Sequence, residues 1–521
     1  MSEGTWRPRG NPWLIAVTVT LAAFMELLDT TIVNVSLPHI AGTLSASYDE
    51  AAWALTSYLV ANSIVLPISA FFGRLIGRKR YFVICIAAFT VCSFLCGISD
   101  SLGELVVFRV LQGFFGGGLQ PNQQSIILDT FPQSQRGRAF SLTAIATVVA
   151  PVLGPTIGGW ITDNFSWRWV FFINIPVGVL ATFGVLSLVE DPPWAKAQPR
   201  ASIDYVGIGL IAVTFASLQI MLDRGEDDDW FSSPVIRTFA ITAAVGAAFA
   251  CAWLLYARKP VVDLRVMKDR NFLVGSLSIA CFAMILYGSA VLIPQLAQEH
   301  LGYTALLAGL VLSPGALCVI FLIPFLNLAM GHVQTRFIVT TGFLVLGCAL
   351  LYSRGVAPDI DFRHLMWMRM AQSLGIGCLF VPLSVLTYQT VPKRLHADAT
   401  ALYTMFRNVA GSIGISISTA AITSLTQVHM AYLSYGMTPA NPNFQRAVTQ
   451  TAHAIQGLGS GAAAASQSAL GQTYKTLIAQ AGFLAYRDLF FYCALVAFAF
   501  VPMTFLFSPG RKAGGPQGAA H

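Results

Sequence analysis

Two acidic side chains lie inside the first apolar run of the chain, residues 13–37. Glu26 and Asp29 are three residues apart, so on a helix they share one face. A carboxylate at the bilayer centre costs about 2.5–3.5 kcal/mol to insert, and such residues usually face a bundle interior or a water-filled path. We therefore predict that this pair handles protons during transport. The alternative is a pair of acids that neighbouring helices satisfy without any role in transport.

A second polar stripe lies in the apolar run at residues 104–127. Its members are spaced three or four apart and share one helix face: Arg109, Gln112, Gly113, Gly116, Gln120, Gln123 and Gln124. Arg109 stays charged and needs acceptors, for which Glu26 and Asp29 are candidates. A cation favours the ionised form of a nearby acid, and its withdrawal lets the acid take up a proton. We predict a switchable partnership; a static salt bridge is the alternative.

Further polar and aromatic side chains are candidates to contact a substrate. The polar groups would line an intramembrane cavity, and the aromatic rings would pack against apolar ligands. Lipid-facing positions are the alternative for the aromatic residues. The predicted substrate-binding residues are Asn34, Tyr58, Gln112, Phe114, Gln120, Gln123, Tyr287, Phe380 and Arg407.

Two glycine-containing segments are candidates for conformational roles. In the fifth apolar run, Gly154 and Gly158 are four residues apart and predict a close-packing helix face. Prolines there, including Pro155, weaken the helical hydrogen-bond ladder and, with Gly159, predict a helix that tilts against a neighbour.

The loop between the second and third apolar runs is the other such segment. Gly77 suits a tight loop, and Arg74 and Arg78 would face lipid headgroups or acidic groups at helix ends. Orientation of the chain in the membrane is the alternative explanation of these charges.

The composition indicates a polytopic membrane protein. Of 521 residues, 55% are hydrophobic and 11% charged, whereas soluble proteins carry about 25% charged residues. Apolar runs of about 20 residues predict fourteen spans. With both termini cytoplasmic, 20 of the 31 Lys and Arg residues fall on the cytoplasmic side and 8 on the other. This distribution satisfies the positive-inside rule and explains the net charge of +7 without a nucleic-acid partner.

The sequence lacks the common enzyme signatures. It has no phosphate-binding G-x-x-x-x-G-K-[ST] loop, no H-E-x-x-H and no G-x-S-x-G motif. All nine cysteines fall in predicted spans without metal-ligand spacing, so we expect neither metals nor disulfides. A transporter is favoured over a receptor or a membrane enzyme.

An internal repeat divides the chain into two parts. A shift of 260 residues places Arg109 on Arg369, Gln112 on Gln372 and Thr130 on Thr390. Parallel repeats of this kind build transporters from two six-span halves with the substrate site between them. The predicted fold is therefore an all-α polytopic membrane protein made of two six-helix bundles and two extra central spans.

The predicted divisions follow from this repeat. Residues 1–190 form the N-terminal bundle, and residues 191–260 form a linker and the two extra spans. These two spans have no charge in their interior, so we expect them to pack or act as a lid. Residues 261–507 form the C-terminal bundle, and residues 508–521 a cytoplasmic tail. Within the C-terminal part, residues 426–486 are too polar to span. They predict an extracytoplasmic helical hairpin that touches another protein, with a flexible connector as the alternative.

Several motifs resemble those of one transporter family. LDTTIVNVSLPHI (residues 28–40), FRVLQGFFGGG (108–118), GPTIGGWI (154–161) and RNVAGSIGIS (407–416) occur in the family's order. Together they are similar to the fourteen-span drug:proton antiporters of the major facilitator superfamily, of the EmrB/QacA type. The resemblance implies that Asp29 is the coupling acid, Arg109 its motif partner and Gly154/Pro155 a hinge. It also implies no cofactor, with a proton gradient as the energy source.

The resemblance implies a cellular setting as well. The insertion is similar to that of EmrB-like inner-membrane exporters, which work with a periplasmic adaptor (an EmrA-like membrane fusion protein) and an outer-membrane channel. The expected cargo is hydrophobic or amphipathic drugs; a dedicated exporter of a metabolite, fatty acid or siderophore is the alternative. One departure is Arg74, which stands where the family's loop motif has the Asp that anchors a latch between the halves. The motif's gating contact is therefore unsupported by this sequence.

Overall fold

A computed structural model describes residue 6 and residues 8–196, 203–438, 440–458 and 461–508. Throughout these residues the regular structure is helical, and fourteen helical segments are long and apolar enough to cross a membrane. The fold class and the number of spans are as the sequence predicts. The predicted tail, residues 508–521, lies outside the described residues except at its first position.

The N-terminal half contains six spans. Side chains start several helices; Ser47 and Glu50, for example, form a reciprocal capping box at the start of α2. The helices are α1 (Pro12–Thr43), α2 (Tyr48–Ile76), α3 (Arg78–Ile98), α4 (Leu102–Gly116), α5 (Leu119–Thr130), α6 (Arg136–Asn164), α7 (Trp169–Phe172) and α8 (Asn174–Leu188).

The fourth span is divided, unlike the continuous run that its hydropathy predicts. α4 ends and α5 begins on either side of Gly117 and Gly118. A Cβ on Gly117 would lie 2.7 Å from the Asn62 carbonyl oxygen, and one on Gly118 would lie 2.6 Å from the Tyr81 hydroxyl. Glycine at both positions lets α2 and α3 approach the break closely.

The two extra spans form a hairpin of α9 (Tyr205–Arg224) and α10 (Pro234–Tyr256). α9 packs against both α2 and α15 (His396–Ser434), one from each half. Both spans carry charge only near their ends: α9 includes Asp223 in its last turn and α10 includes Arg237 in its first turn. Burial of Asp223 is made tolerable by a hydrogen bond from the Thr56 hydroxyl of α2.

The C-terminal half repeats the bundle and adds the insertion. Its helices are α11 (Arg270–Glu299), α12 (Ala305–His332), α13 (Thr335–Ser353), α14 (Phe362–Thr387), α15, α16 (Pro442–Gln456) and α17 (Ala462–Phe500). α16 packs along the first part of α17, which continues without interruption into the last span. A helical hairpin thus occupies the predicted insertion.

Candidate functional site

Asp29 and Arg109 form an ion pair in the interior of the N-terminal half. Asp29 Oδ2 lies 2.6 Å from Arg109 Nη1, and neither side chain is exposed. The other carboxylate oxygen, Oδ1, accepts hydrogen bonds from the side-chain amides of Gln112 (3.0 Å) and Asn174 (2.7 Å). α4 and α8 thus supply three side-chain donors to one buried carboxylate on α1. Asn174, at the start of α8, is a site residue that sequence reasoning missed.

The rest of the Arg109 side chain is fixed by α2 and α4. Its Nε donates to the Ala54 carbonyl oxygen at 2.9 Å, and Nη1 also donates to Gln112 at 2.8 Å. Its guanidinium carbon lies 4.0 Å from the centre of the Tyr58 ring, within cation–π range. Gly113 permits this contact, since a Cβ there would lie 2.3 Å from the Tyr58 carbonyl oxygen.

Glu26 belongs to a second hydrogen-bonded group, which crosses between the halves. Its Oε1 accepts a hydrogen bond from the Asn62 amide at 3.1 Å, and its Oε2 accepts one from Gln120 Nε2. Gln120 Oε1 in turn accepts a hydrogen bond from Arg407 Nη2 of α15. All four side chains are buried. The chain Glu26–Gln120–Arg407 therefore links the acid on α1 to the C-terminal half.

The aromatic candidates of the C-terminal half lie beside Arg407. The Arg407 guanidinium is 5.9 Å from the centre of the Phe380 ring. Tyr287 packs against Gly411, one turn further along α15, where an added Cβ would lie 2.5 Å from the ring. The structure therefore brings Tyr287, Phe380 and Arg407 together with Gln120 in one region between the halves.

Three other predicted substrate-binding residues lie elsewhere. Gln123 is buried and donates to Thr143 and Thr20 within the N-terminal half. Phe114 is 41% exposed and packs on neighbouring phenylalanine rings. Asn34 is exposed, whereas Glu26 and Asp29 of the same helix are buried. A substrate contact by these residues stays a prediction.

The glycine-rich face of α6 fits against α1, the helix that carries both acids. A Cβ on Gly154 would lie 2.1 Å from Thr31 Oγ1, and one on Gly158 would lie 2.8 Å from Ile32 Cγ1. Gly159 points to more open space, with its nearest neighbour 3.9 Å away. Gly154 and Gly158 therefore set the separation of α1 and α6, and Gly159 does not.

The family model for the major facilitator superfamily matches residues 19–415. The chain belongs to the major facilitator superfamily. Among its relatives is the multidrug export protein EmrB of Escherichia coli (strain K12), 35% identical over 98% of both chains. The fatty acid resistance protein FarB of Neisseria gonorrhoeae is 34% identical over 96% of this chain and 97% of that protein. The crystal structure of the human organic anion transporter MFSD10 (TETRAN) has the same fold, with a TM-score of 0.57. It covers 94% of this chain and 100% of that chain at 13% identity.

At one end of this superfamily fold, the last turn of α2 contacts the C-terminal half. Gly77 has φ of 92°, a conformation that favours glycine, and it turns the chain directly from α2 into α3. Arg74 Nη1 pairs with Asp398 of α15 at 2.6 Å, and Arg74 Nη2 donates to the Val261 carbonyl oxygen at 2.9 Å. A contact between the halves is thus present at the position of the loop motif, with the cation in the N-terminal half and the acid in the C-terminal half; a gating role for it stays a prediction.

A buried cluster next to this pair involves Arg78. Arg78 forms an ion pair with Asp129, and Asp129 Oδ1 also lies 2.8 Å from His396 Nδ1 of α15. Sequence reasoning missed Asp129, His396 and Asp398. The repeat could have drawn attention to two of them. The 260-residue shift aligns His396 and Asp398 with Arg136 and Arg138, so ionisable residues occupy the same two positions in both halves.

Proposed function

We propose that this transporter is a proton-coupled antiporter that exports hydrophobic or amphipathic drugs by alternating access. The observation that carries the proposal is the fully buried Asp29–Arg109 pair, surrounded by amide donors. An intramembrane carboxylate with a fixed cationic partner is the arrangement expected of a proton site. The relationship to multidrug export proteins supports drugs as the cargo.

The hydrogen bonds suggest how protonation moves the halves. A proton on Asp29 weakens its attraction to Arg109, and a proton on Glu26 removes an acceptor from Gln120, which also holds Arg407. Either step loosens a polar contact on which the present arrangement depends. One elementary charge moved across the membrane gains about 2.3 kcal/mol per 100 mV, so a single proton supplies useful energy.

The contacts between the halves support an assignment of the conformational state. Arg74–Asp398 and His396–Asp129 join them at one end, and the Tyr388 hydroxyl donates to Gln124 at 2.9 Å further inside. If the termini are cytoplasmic, as the basic residues indicate, this end is the cytoplasmic one. The arrangement then corresponds to a transporter closed to the cytoplasm.

We further propose an inner-membrane location, with a periplasmic adaptor and an outer-membrane channel as partners. The hairpin of α16 and α17 supports this, because it lies at the end opposite to Arg74 and adds helix beyond the last span. Large apolar side chains are exposed around it, with Tyr435 90% and Leu458 87% exposed. An adaptor docked there would cover such side chains.

A second candidate is a dedicated exporter of a fatty acid or another endogenous compound, with FarB as the observation that favours it. The test uses purified protein in vesicles with an imposed pH gradient and a panel of dyes, antibiotics and fatty acids. Drug accumulation driven by the gradient, and lost in Asp29→Asn, supports the first proposal. Transport of a single fatty acid class supports the second, and transport unaffected by the gradient contradicts proton coupling.

A further inference from the structure

The internal repeat creates a second arginine site in which the acid is missing. The 260-residue shift that places Arg109 on Arg369 also places Asp29 on Ser289. The structure brings these counterparts together, since Arg369 Nη1 donates to Ser289 Oγ at 3.0 Å. Gln372, the counterpart of Gln112, lies 3.4 Å from the same nitrogen. The geometry of the Asp29–Arg109 site is thus kept, but a neutral hydroxyl stands where the carboxylate was.

Arg369 is a buried cation without a countercharge. Its side chain is nearly inaccessible, at 4% exposure for the residue. Within the described part of the chain, no carboxylate pairs with it, and its buried Nε has no hydrogen-bond partner. A guanidinium keeps its charge under ordinary conditions, so it cannot avoid the cost of burial by losing a proton.

The side chain is also held in place. A Cβ on Gly315 of α12 would lie 3.0 Å from Arg369 Cγ and 2.4 Å from Ser373 Oγ, so the stem of Arg369, on α14, is packed tightly against α12. This packing prevents the charge from reaching out to a membrane surface, as long basic side chains near helix ends do. The cation must be satisfied where it lies.

Arg407 provides a contrast within the same half. It also lacks a paired carboxylate, but it donates to Gln120, which donates in turn to Glu26. A carboxylate is therefore one amide away from Arg407. Arg369 has only Ser289 and Gln372, and the amide of Gln372 donates to the hydroxyl of Ser353 at 2.8 Å. No acid is connected to Arg369 by these hydrogen bonds.

We infer that Arg369 and Ser289 form a binding site for a small monovalent anion in the C-terminal half. The anion supplies the missing negative charge next to the guanidinium and accepts a hydrogen bond from Arg369 Nε, the buried nitrogen that has no partner. Chloride and the carboxylate group of an acidic small molecule share this chemistry. The site does not depend on whether the protein is an antiporter, and it is measured by binding and not by transport.

The test measures the melting temperature of purified full-length protein in detergent at constant sodium concentration. Gluconate, too bulky and hydroxylated for a buried site, is replaced stepwise by chloride in one series and by butyrate in another. A bound anion stabilises the folded state, so the melting temperature rises with a saturating dependence, by on the order of a few degrees. A rise with chloride only identifies a halide site, and a rise with butyrate only identifies a carboxylate site.

Three variants locate the response. Ser289→Asp rebuilds the acid of the N-terminal site, so it should be stable in gluconate and insensitive to chloride and butyrate. Ser289→Asn introduces a side chain of the same size as aspartate but without its charge. It is the matched control for Ser289→Asp and should keep the anion response. Arg369→Gln removes the buried charge and should lose the response while still folding, because no carboxylate is left without its cation and the amide can still donate to neighbouring oxygens.

The outcomes separate cleanly. A response in the wild type and in Ser289→Asn that is lost in both Ser289→Asp and Arg369→Gln establishes the site. A wild-type melting temperature that is indifferent to both anions contradicts it. A response that survives in Ser289→Asp or Arg369→Gln places the anion elsewhere and also contradicts it.

Discussion

Asp29 accepts hydrogen bonds from Arg109, Gln112 and Asn174, all inside the protein. Asp29→Asn keeps the shape of the side chain but removes the group that binds a proton. We expect inserted protein at near wild-type levels with proton-driven export abolished, and we expect Glu26→Gln to have the milder effect. Drug accumulation in acid-inside and acid-outside vesicles measures this. Asp29→Asn protein that still couples export to a pH gradient would exclude Asp29 as the proton site.

Variants of Arg109 test the role of the cation that pairs with Asp29. Lysine keeps the charge but lacks the planar fork that engages Asp29, Gln112 and the Ala54 carbonyl oxygen together. Arg109→Lys should reduce transport, and Arg109→Ala should reduce it further and lower stability by about 3–5 kcal/mol, because a buried carboxylate loses its cation. Vesicle transport and thermal unfolding measure the two effects. Wild-type transport rates in both variants would show that the pair has no part in coupling.

The sequence predicted the acids and Arg109 because charged residues are costly in an apolar run wherever they point. It did not predict Asn174, since an amide at the start of a span has no comparable cost. It also did not predict that Tyr58 lies under Arg109 with no exposed surface. The spacing of residues gives the relative faces of one helix, but which face meets which neighbour depends on the packing of the whole bundle.

Two glycines of α6 allow a matched comparison at the level of the helices. A methyl group on Gly154 would lie 2.1 Å from Thr31 Oγ1, whereas one on Gly159 meets nothing closer than 3.9 Å. Gly154→Ala should therefore push α6 away from α1, lower the melting temperature and impair transport. Gly159→Ala should behave as the wild type. Equal activity and stability of the two variants would mean that the close approach of α1 and α6 is not required.

Hydropathy predicted the number of spans well, because about 20 apolar residues are needed to cross a bilayer. It did not indicate where a span is divided. The division between α4 and α5 precedes Pro121, which has no N–H to donate to the Gly117 carbonyl oxygen and so interrupts the helical hydrogen-bond ladder. Hydropathy does not register this interruption, nor the close approaches of Asn62 and Tyr81 to the two glycines.

The two halves are joined at one end by the ion pair between Arg74 and Asp398. Arg74→Asp should repel Asp398, open this end of the molecule and impair transport. The double variant Arg74→Asp/Asp398→Arg restores opposite charges and should recover part of the activity. Arg80→Ala is the control. It removes an exposed cation in the first turn of α3 and should have little effect. A double variant no more active than Arg74→Asp would argue against a direct electrostatic role.

The hairpin of α16 and α17 concerns the molecule in its cellular setting. Replacing residues 435–475 with a short Gly/Ser linker removes this surface but leaves the spans. We expect proton-coupled transport in vesicles to be retained, and drug resistance in intact two-membrane cells to be lost, because an adaptor would have no docking surface. Resistance that survives, in cells shown to need the adaptor, would exclude docking through this segment.

The fold contains the extra spans α9 and α10 as a pair, and an even number of extra spans keeps the orientation of the C-terminal half. Two successive helices cross the membrane and return to the starting side, so every later helix keeps its direction. A single inserted helix would turn the C-terminal half upside down, so Arg74 and Asp398 would lie on opposite faces of the bilayer and could never meet. Additions at this point of the chain are therefore compatible with the two-fold arrangement of the halves only in even numbers.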